Sequence, residues 1–131
     1  MAKILYVEDD YNNIRLVQKM FKFTGHDVMV AQNGLEGIKT ALSQHPDLIL
    51  MDINLPDIDG LEVTRRIRKD FRVKDIPIIA LTAHTEPQAR LAALQAGCND
   101  YLAKPSSRIE LLKVVHQYLK YVNPGEAAQG V

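Results

Sequence analysis

The sequence predicts an α/β fold: a three-layer, doubly wound parallel sheet made of five strand–helix units. Three observations carry this. Short runs rich in apolar and β-branched residues alternate with stretches of helical period five times, without exception. The run Leu48 Ile49 Leu50 Met51 is apolar at every position, as in a strand covered on both faces. A chain of 131 residues suits one domain of this kind and is too short for two. Parallel neighbours need crossover connections, and right-handed crossovers put helices on both faces of the sheet.

The units follow in order. Ile4 to Val7 is a β-branched and aromatic strand that gives way abruptly to Glu8 Asp9 Asp10. Ile14, Val17 and Phe21 recur at helical spacing, with Leu16 and Met20 beside them, so residues 11–23 read as a helix stopped by Gly25. Val28 to Ala31 is the second strand. Asn33-x-x-Glu36 is a capping box for a helix through Leu35, Ile38 and Leu42. His45 Pro46 breaks that helix ahead of the third strand, Leu48 to Met51. Asp59-x-x-Glu62 opens a helix with Leu61, Val63 and Ile67. Ile76 to Leu81 is the fourth strand, with Pro77 near its start, where a missing donor matters least. Thr85-x-x-Gln88, with Pro87, begins an Ala-rich helix ending at Gly97. Asn99 to Ala103 is a short fifth strand. Ser107-x-x-Glu110 caps the last helix, carried by Leu111, Leu112, Val115, Tyr118, Leu119 and Val122. The domain is therefore expected over residues 1–122, with 123–131 a flexible tail.

Composition excludes several classes of function. Sixteen basic residues balance sixteen acidic ones, so no basic stripe points to nucleic acid. The one basic cluster, Arg65 Arg66 Arg68 Lys69, falls on a helix and reads as a solvated face. A single cysteine, Cys98, excludes an intramolecular disulfide framework and a Cys-rich metal site, and reads as a small buried residue. No apolar run approaches the roughly 18 residues of a membrane span. The N-terminus shows no signal-peptide pattern, so a cytoplasmic location away from membranes is expected.

In open parallel sheets ligands bind beyond the carboxyl ends of the strands. Those ends carry Glu8, Asp9 and Asp10 after the first strand, Asp52 after the third, Thr82 after the fourth and Lys104 after the fifth. Clustered carboxylates repel one another unless some protonate or a cation joins them, and magnesium suits an all-oxygen site. Cation, ammonium, hydroxyl and loop N–H groups around one carboxylate make a place for an oxyanion. A phosphoryl group is the natural candidate, with Asp52 as nucleophile forming an acyl phosphate and Thr82 and Lys104 reaching its oxygens. Taken singly, each residue has a plainer reading: Asp10 as a helix cap, Thr82 as a loop residue, Lys104 as a surface charge. Their joint placement on one edge of one sheet favours the site.

Other chemistries lack their signatures. There is no Gly-x-x-x-x-Gly-Lys-Ser/Thr phosphate loop, no Gly-x-Gly-x-x-Gly dinucleotide turn and no Gly-x-Ser-x-Gly elbow. His26, His45, His84 and His116 show neither zinc-ligand spacing nor a nucleophile partner.

Over essentially residues 2–121 the chain closely resembles the CheY-like receiver domains of two-component response regulators, of the single-domain type similar to DivK. The matching motifs are Val7-Glu8-Asp9-Asp10, Leu48 to Pro56 with Gly60, Leu81-Thr82-Ala83, and Gly97-Cys98-Asn99-Asp100-Tyr101-Leu102-Ala103-Lys104-Pro105. The resemblance implies a flavodoxin-like strand order of 2-1-3-4-5. It implies that Asp52 accepts a phosphoryl group from a phosphohistidine of a sensor histidine kinase or histidine phosphotransfer protein. Asp9, Asp52 and the backbone carbonyl of Asn54 would hold Mg2+ (or Mn2+ in its place), with Glu8 acting through water. Thr82 and Tyr101 match the switch pair, Lys104 the phosphoryl-binding lysine, and His84 a position that tunes dephosphorylation. The Lys104–Pro105 bond matches one that is often cis in the family.

The expected function is a phosphorylation-controlled switch that repacks the face of the fourth helix, fifth strand and fifth helix for an unidentified protein partner. The domain would work as a monomer or a weak phosphorylation-dependent dimer, without enzymatic turnover of external substrates. Alternative readings are a scaffold of the same fold that signals without phosphate, and a receiver cut from a larger regulator.

Overall fold

The structure, a computed structural model, describes residues 1–84, 86–104 and 106–122, the last three by backbone alone. The expected cap at Thr85, the Lys104–Pro105 bond and the tail 123–131 lie outside the described residues.

Strands β1 (Lys3–Val7), β2 (Asp27–Ala31), β3 (Leu48–Asp52), β4 (Ile78–Thr82) and β5 (Asp100–Ala103) form one parallel sheet in the order 2-1-3-4-5. They alternate with helices α1 (Tyr11–Met20), α2 (Gly34–Gln44), α3 (Gly60–Lys69), α4 (Pro87–Ala96) and α5 (Arg108–Val122). Both faces of the sheet are covered. Ile4, Tyr6, Leu48, Leu50, Ile79, Leu81 and Leu102 pack with Ile14, Val17 and Phe21 from the α1 side and Leu111, Val115 and Leu119 of α5. Leu5, Val7, Ile49, Met51, Ile78 and Ala80 face Ala41 of α2, Val63 and Ile67 of α3 and Ala93 of α4. Each large apolar side chain buried this way contributes about 1.5–3 kcal/mol. β3 and β4 are buried at every position, which is why they read as unbroken apolar runs.

The register brings the carboxyl ends level. Val7 pairs with Ala31 and Met51, Asp52 with Leu81, and Thr82 with Ala103, so Glu8, Asp52, Thr82 and Lys104 emerge side by side.

Four local expectations are corrected. α1 ends at Met20 rather than at residue 23: the Thr24 hydroxyl donates to the Phe21 carbonyl at 2.6 Å, and Phe23 takes a left-handed φ of 66° with its ring exposed. Leu35 is exposed; α2 packs Ile38 and Leu42 on the core as expected and also buries Gly34, Gly37 and Ala41, and a Cβ on Gly37 would lie 3.0 Å from the Val7 side chain of β1. β4 begins after Pro77, which has no N–H to donate, although its carbonyl still accepts from Ile49 N–H at 2.9 Å. Arg68 is not part of a solvated face. Its guanidinium donates to the carbonyls of Gly97, Lys74 and Ile76 and to Asn99 Oδ1, at 2.6–2.9 Å, pinning α3 to the connections that lead into β4 and β5.

A histidine contact joins the amino end of β2 to α5. His26 Nε2 and His116 Nε2 lie 3.0 Å apart, and Ala2 N–H donates to His26 Nδ1 at 3.2 Å. Nδ1 therefore carries the lone pair, so neutral His26 bears its proton on Nε2 and gives it to His116. Protonating either ring sets N–H against N–H. Partial burial first, then His116 and the α-amino group, hold His26 below its ordinary pKa, while Asp47 pulls the other way. The unfolded chain, near an ordinary value of about 6.5, thus takes up this proton at higher pH than the native state does. The stabilisation is complete above that pH and is lost as pH falls through the native value. In urea titrations at pH 7.5 and 5.5, the acid-side loss of stability should be smaller for His26→Gln than for wild type. An equal loss would refute the contact.

Candidate functional site

Glu8 and Asp52 are charged side chains that the fold buries almost completely, at 1% and 3% exposure, while Asp9 is exposed. Each of the three offers a carboxylate oxygen within 4.8 Å of the others. They meet because β1 and β3 are adjacent in the sheet and end at the same level. Lys104, delivered by the end of β5, donates to Glu8 Oε1 and lies 3.1 Å from Asp52 Oδ1.

The electrostatics follow from burial and crowding. Burial, and then the neighbouring Glu8 carboxylate, raise Asp52 to about 6, against the opposing pull of Lys104. Burial also opposes ionisation of Glu8. Its hydrogen bonds with Lys104, Asp52 and Asp10 N–H outweigh that and hold it below its ordinary value. For Lys104, burial favours the neutral amine, but Glu8 and Asp52 keep the pKa raised. One fixed ammonium thus faces two buried carboxylates with a third at the rim. This all-oxygen, charge-deficient donor set fits a hard divalent cation.

Asp10 takes the plainer role weighed for it. It is the N-cap of α1, accepting from Asn12 N–H at 2.8 Å and Asn13 N–H at 3.2 Å. Asn54 lies just past β3, its N–H donating to Asp52 Oδ1 at 3.3 Å. Thr82 is buried at the end of β4, and its Oγ1 accepts from His84 N–H at 3.1 Å. The His84 ring is exposed, with Nδ1 3.9 Å from a carboxylate oxygen of Glu86. Tyr101 is half-buried on β5. It lines, with Thr82, His84, Ile53 and Ala89, a cavity of about 400 Å³. Its hydroxyl is shielded from solvent and has no hydrogen-bond partner among the described residues.

Tyr6, which the sequence marks only as a strand residue, also belongs to this environment. It is 1% exposed, and its hydroxyl donates to Glu8 Oε1 at 3.0 Å. Residues i and i+2 of a strand share a face, so a tyrosine two places before a buried glutamate can reach it. Burial first, and then Glu8, Asp52 and Asp10, push its phenol far above the ordinary range, so it stays a donor.

A parallel sheet of order 2-1-3-4-5, with an acidic cluster and a lysine at its carboxyl edge, defines a CheY-like domain. Residues 4–116 match the model of the response regulator receiver domain, and the chain belongs to that family of two-component signalling domains. It is similar to the polar-differentiation response regulators DivK of Brucella ovis and of Brucella abortus strain 2308. Each is 36% identical over 116 residues, covering 88% of this chain and 94% of the relative. Among solved structures, it resembles the receiver domain of the sensor histidine kinase PA1611 from Pseudomonas aeruginosa, which has a magnesium ion coordinated in its active site cleft. That match has a TM-score of 0.84 at 40% identity, over 90% of this chain and 97% of the other. The chemotaxis response regulator CheY4 of Vibrio cholerae matches with a TM-score of 0.84 at 30% identity, over 90% and 98% of the two chains. Among the described residues, no helix is long and apolar enough to cross a membrane.

Proposed function

We propose that the domain is the phosphoacceptor of a phosphorelay, in which Asp52 takes a phosphoryl group from the phosphohistidine of a sensor histidine kinase or histidine phosphotransfer protein. The observation that carries this reading is the placement of Asp52: a buried carboxylate at an open sheet edge, beside Lys104 and within metal-binding reach of Asp9 and Glu8. A carboxylate oxygen of Asp52 attacks phosphorus, the P–N bond breaks, and the departing imidazole keeps the electron pair. An acyl phosphate remains on Asp52.

Asp9, Asp52 and the Asn54 carbonyl hold Mg2+ in this reading, with Glu8 contributing through water and Mn2+ able to substitute. Once bound, the ion neutralises charge on the phosphoryl oxygens. Lys104 pairs with one of those oxygens, and Thr82 Oγ1 turns from His84 N–H to hydrogen-bond another. The magnesium in the Pseudomonas receiver supports the choice of ion.

The same reading makes Thr82 and Tyr101 a switch. A hydroxyl buried without a partner costs free energy where it stands and gains by moving. The cavity beside Thr82 is the space such a movement needs. The α4–β5–α5 face is then repacked for a protein partner, with the domain a monomer or a weak phosphorylation-dependent dimer. The domain accepts and loses its own phosphoryl group without turning over external substrates. The proposal places it in the cytoplasm, in keeping with one buried, unbridged cysteine.

The test is incubation with Mg2+ and acetyl phosphate, followed by intact-mass and peptide analysis. A base-labile, acid-stable phosphoryl adduct on Asp52 is expected, and none in Asp52→Asn. Wild-type protein that gains no phosphoryl group overturns the proposal.

A further inference from the structure

The loop between β3 and α3 carries Asn54 and is tied down both at its base and near its tip. At its base, Gly60 N–H donates to the Ile53 carbonyl at 2.8 Å. Near its tip, Asp57 reaches across to another element. Its Oδ1 accepts from Gly34 N–H at 2.7 Å and its Oδ2 from Leu35 N–H at 2.9 Å. These are the first two amides of α2, which begins 23 residues earlier in the chain.

A helix leaves four amides unpaired at its N-terminus. In α2, whose first regular bond runs from Gly37 N–H to the Asn33 carbonyl at 3.0 Å, Glu36 N–H is met by the Asn33 side chain at 2.8 Å. The local cap therefore serves one amide of the helix end, and the candidate metal-site loop serves two. The joint is tight: a Cβ on Gly34 would lie 2.6 Å from Ile58 Cγ1 and 2.8 Å from Val63 Cγ2. Desolvation opposes ionisation of Asp57, but N–H groups of Leu35, Gly34, Ile58 and its own backbone overcome it and hold the carboxyl at about 2. The carboxylate is thus charged across the physiological range.

We infer that Asp57 is a positioning residue for the phosphoacceptor site: by gripping the α2 N-terminus, it sets the loop that presents the Asn54 carbonyl to the metal. Asp57 touches neither phosphoryl group nor ion; it acts through the loop backbone. The inference rests on the metal reading above. Groups that orient metal ligands from behind typically change metal affinity 10- to 100-fold when removed. A loop anchored also at Gly60 places the effect at the lower end of that range.

The test measures Mg2+ affinity by titration calorimetry, and stability by thermal melting, for wild type, Asp57→Ala, Asp57→Asn and Asn33→Ala. Asn33→Ala removes the other cap of the same helix without touching the loop, so it reports a purely structural loss. Asp57→Ala should weaken Mg2+ binding about tenfold, Asp57→Asn less because one acceptor oxygen remains, and Asn33→Ala not at all, although all three melt lower. Amide exchange at Gly34 and Leu35 should quicken in Asp57→Ala without any metal present. Wild-type Mg2+ affinity in both Asp57 variants overturns the inference, as does an equal weakening in Asn33→Ala. Wild type that binds no Mg2+ overturns the metal reading instead, and the acetyl phosphate assay decides the phosphoacceptor reading separately.

Discussion

Gly60→Ala is expected to destabilise the domain by about 3 kcal/mol, the upper part of the range for forced overpacking, and to disable the site with it. An added Cβ would lie 2.2 Å from the carbonyl oxygen of Asp52 and 3.0 Å from Ile53 Cα. The obstacle is backbone, so no side-chain rotation relieves it. Either α3 backs away, taking with it the Thr64 hydroxyl bond to the Gly60 carbonyl at 2.8 Å and the Asp59 cap on Glu62 N–H at 2.8 Å, or the end of β3 shifts and displaces the Asp52 carboxylate. Urea denaturation measures the first cost; Mg2+ affinity and phosphoryl uptake measure the second. A variant within about 0.5 kcal/mol of wild type and fully phosphorylatable would show that the loop is softer than its packing implies.

Arg68→Ala should cost a comparable amount, about 3 kcal/mol, for a different reason. Hydrogen bonds from a charged donor are worth about 1.5–3 kcal/mol each, and carbonyls left without a partner add a desolvation penalty. Arg68 serves three carbonyls and Asn99 Oδ1, which in turn accepts from Ile78 N–H at 2.8 Å. Its loss therefore loosens the start of β4 and the connection into β5 together. Partial exposure, which lets water replace some of these bonds, keeps the figure below their sum. Arg68→Lys should rescue little, because a point-like ammonium cannot span acceptors arranged around a planar fork. Chemical denaturation of both variants checks this, and a lysine variant as stable as wild type would refute the fork argument.

The candidate site was legible in the sequence to the extent that strand ends are legible. Glu8, Asp9, Asp52, Thr82 and Lys104 each stand where an apolar run stops, and a parallel sheet gathers such ends on one edge. Less legible was anything set by packing between elements distant in sequence. Tyr6 and Glu8 share a strand face, yet only the covering of that face by α1 and α5 makes the hydroxyl a buried partner. Arg68 sits among three other basic residues and looks no different from them; its acceptors come from residues 74, 76, 97 and 99. His26 and His116 are 90 residues apart, and no spacing rule joins them.

Periodicity and turn chemistry act over a few residues at a time, so the run of elements, the parallel sheet and the residue types at its carboxyl edge can be read from the sequence alone. Which polar groups satisfy one another depends on the folded arrangement: Asp57 on the α2 amides, Arg68 on four acceptors, Lys104 between Glu8 and Asp52. Hydrogen bonds need partners within about 3 Å. For these groups the partners come from other elements, so their identity appears only once the chain is folded.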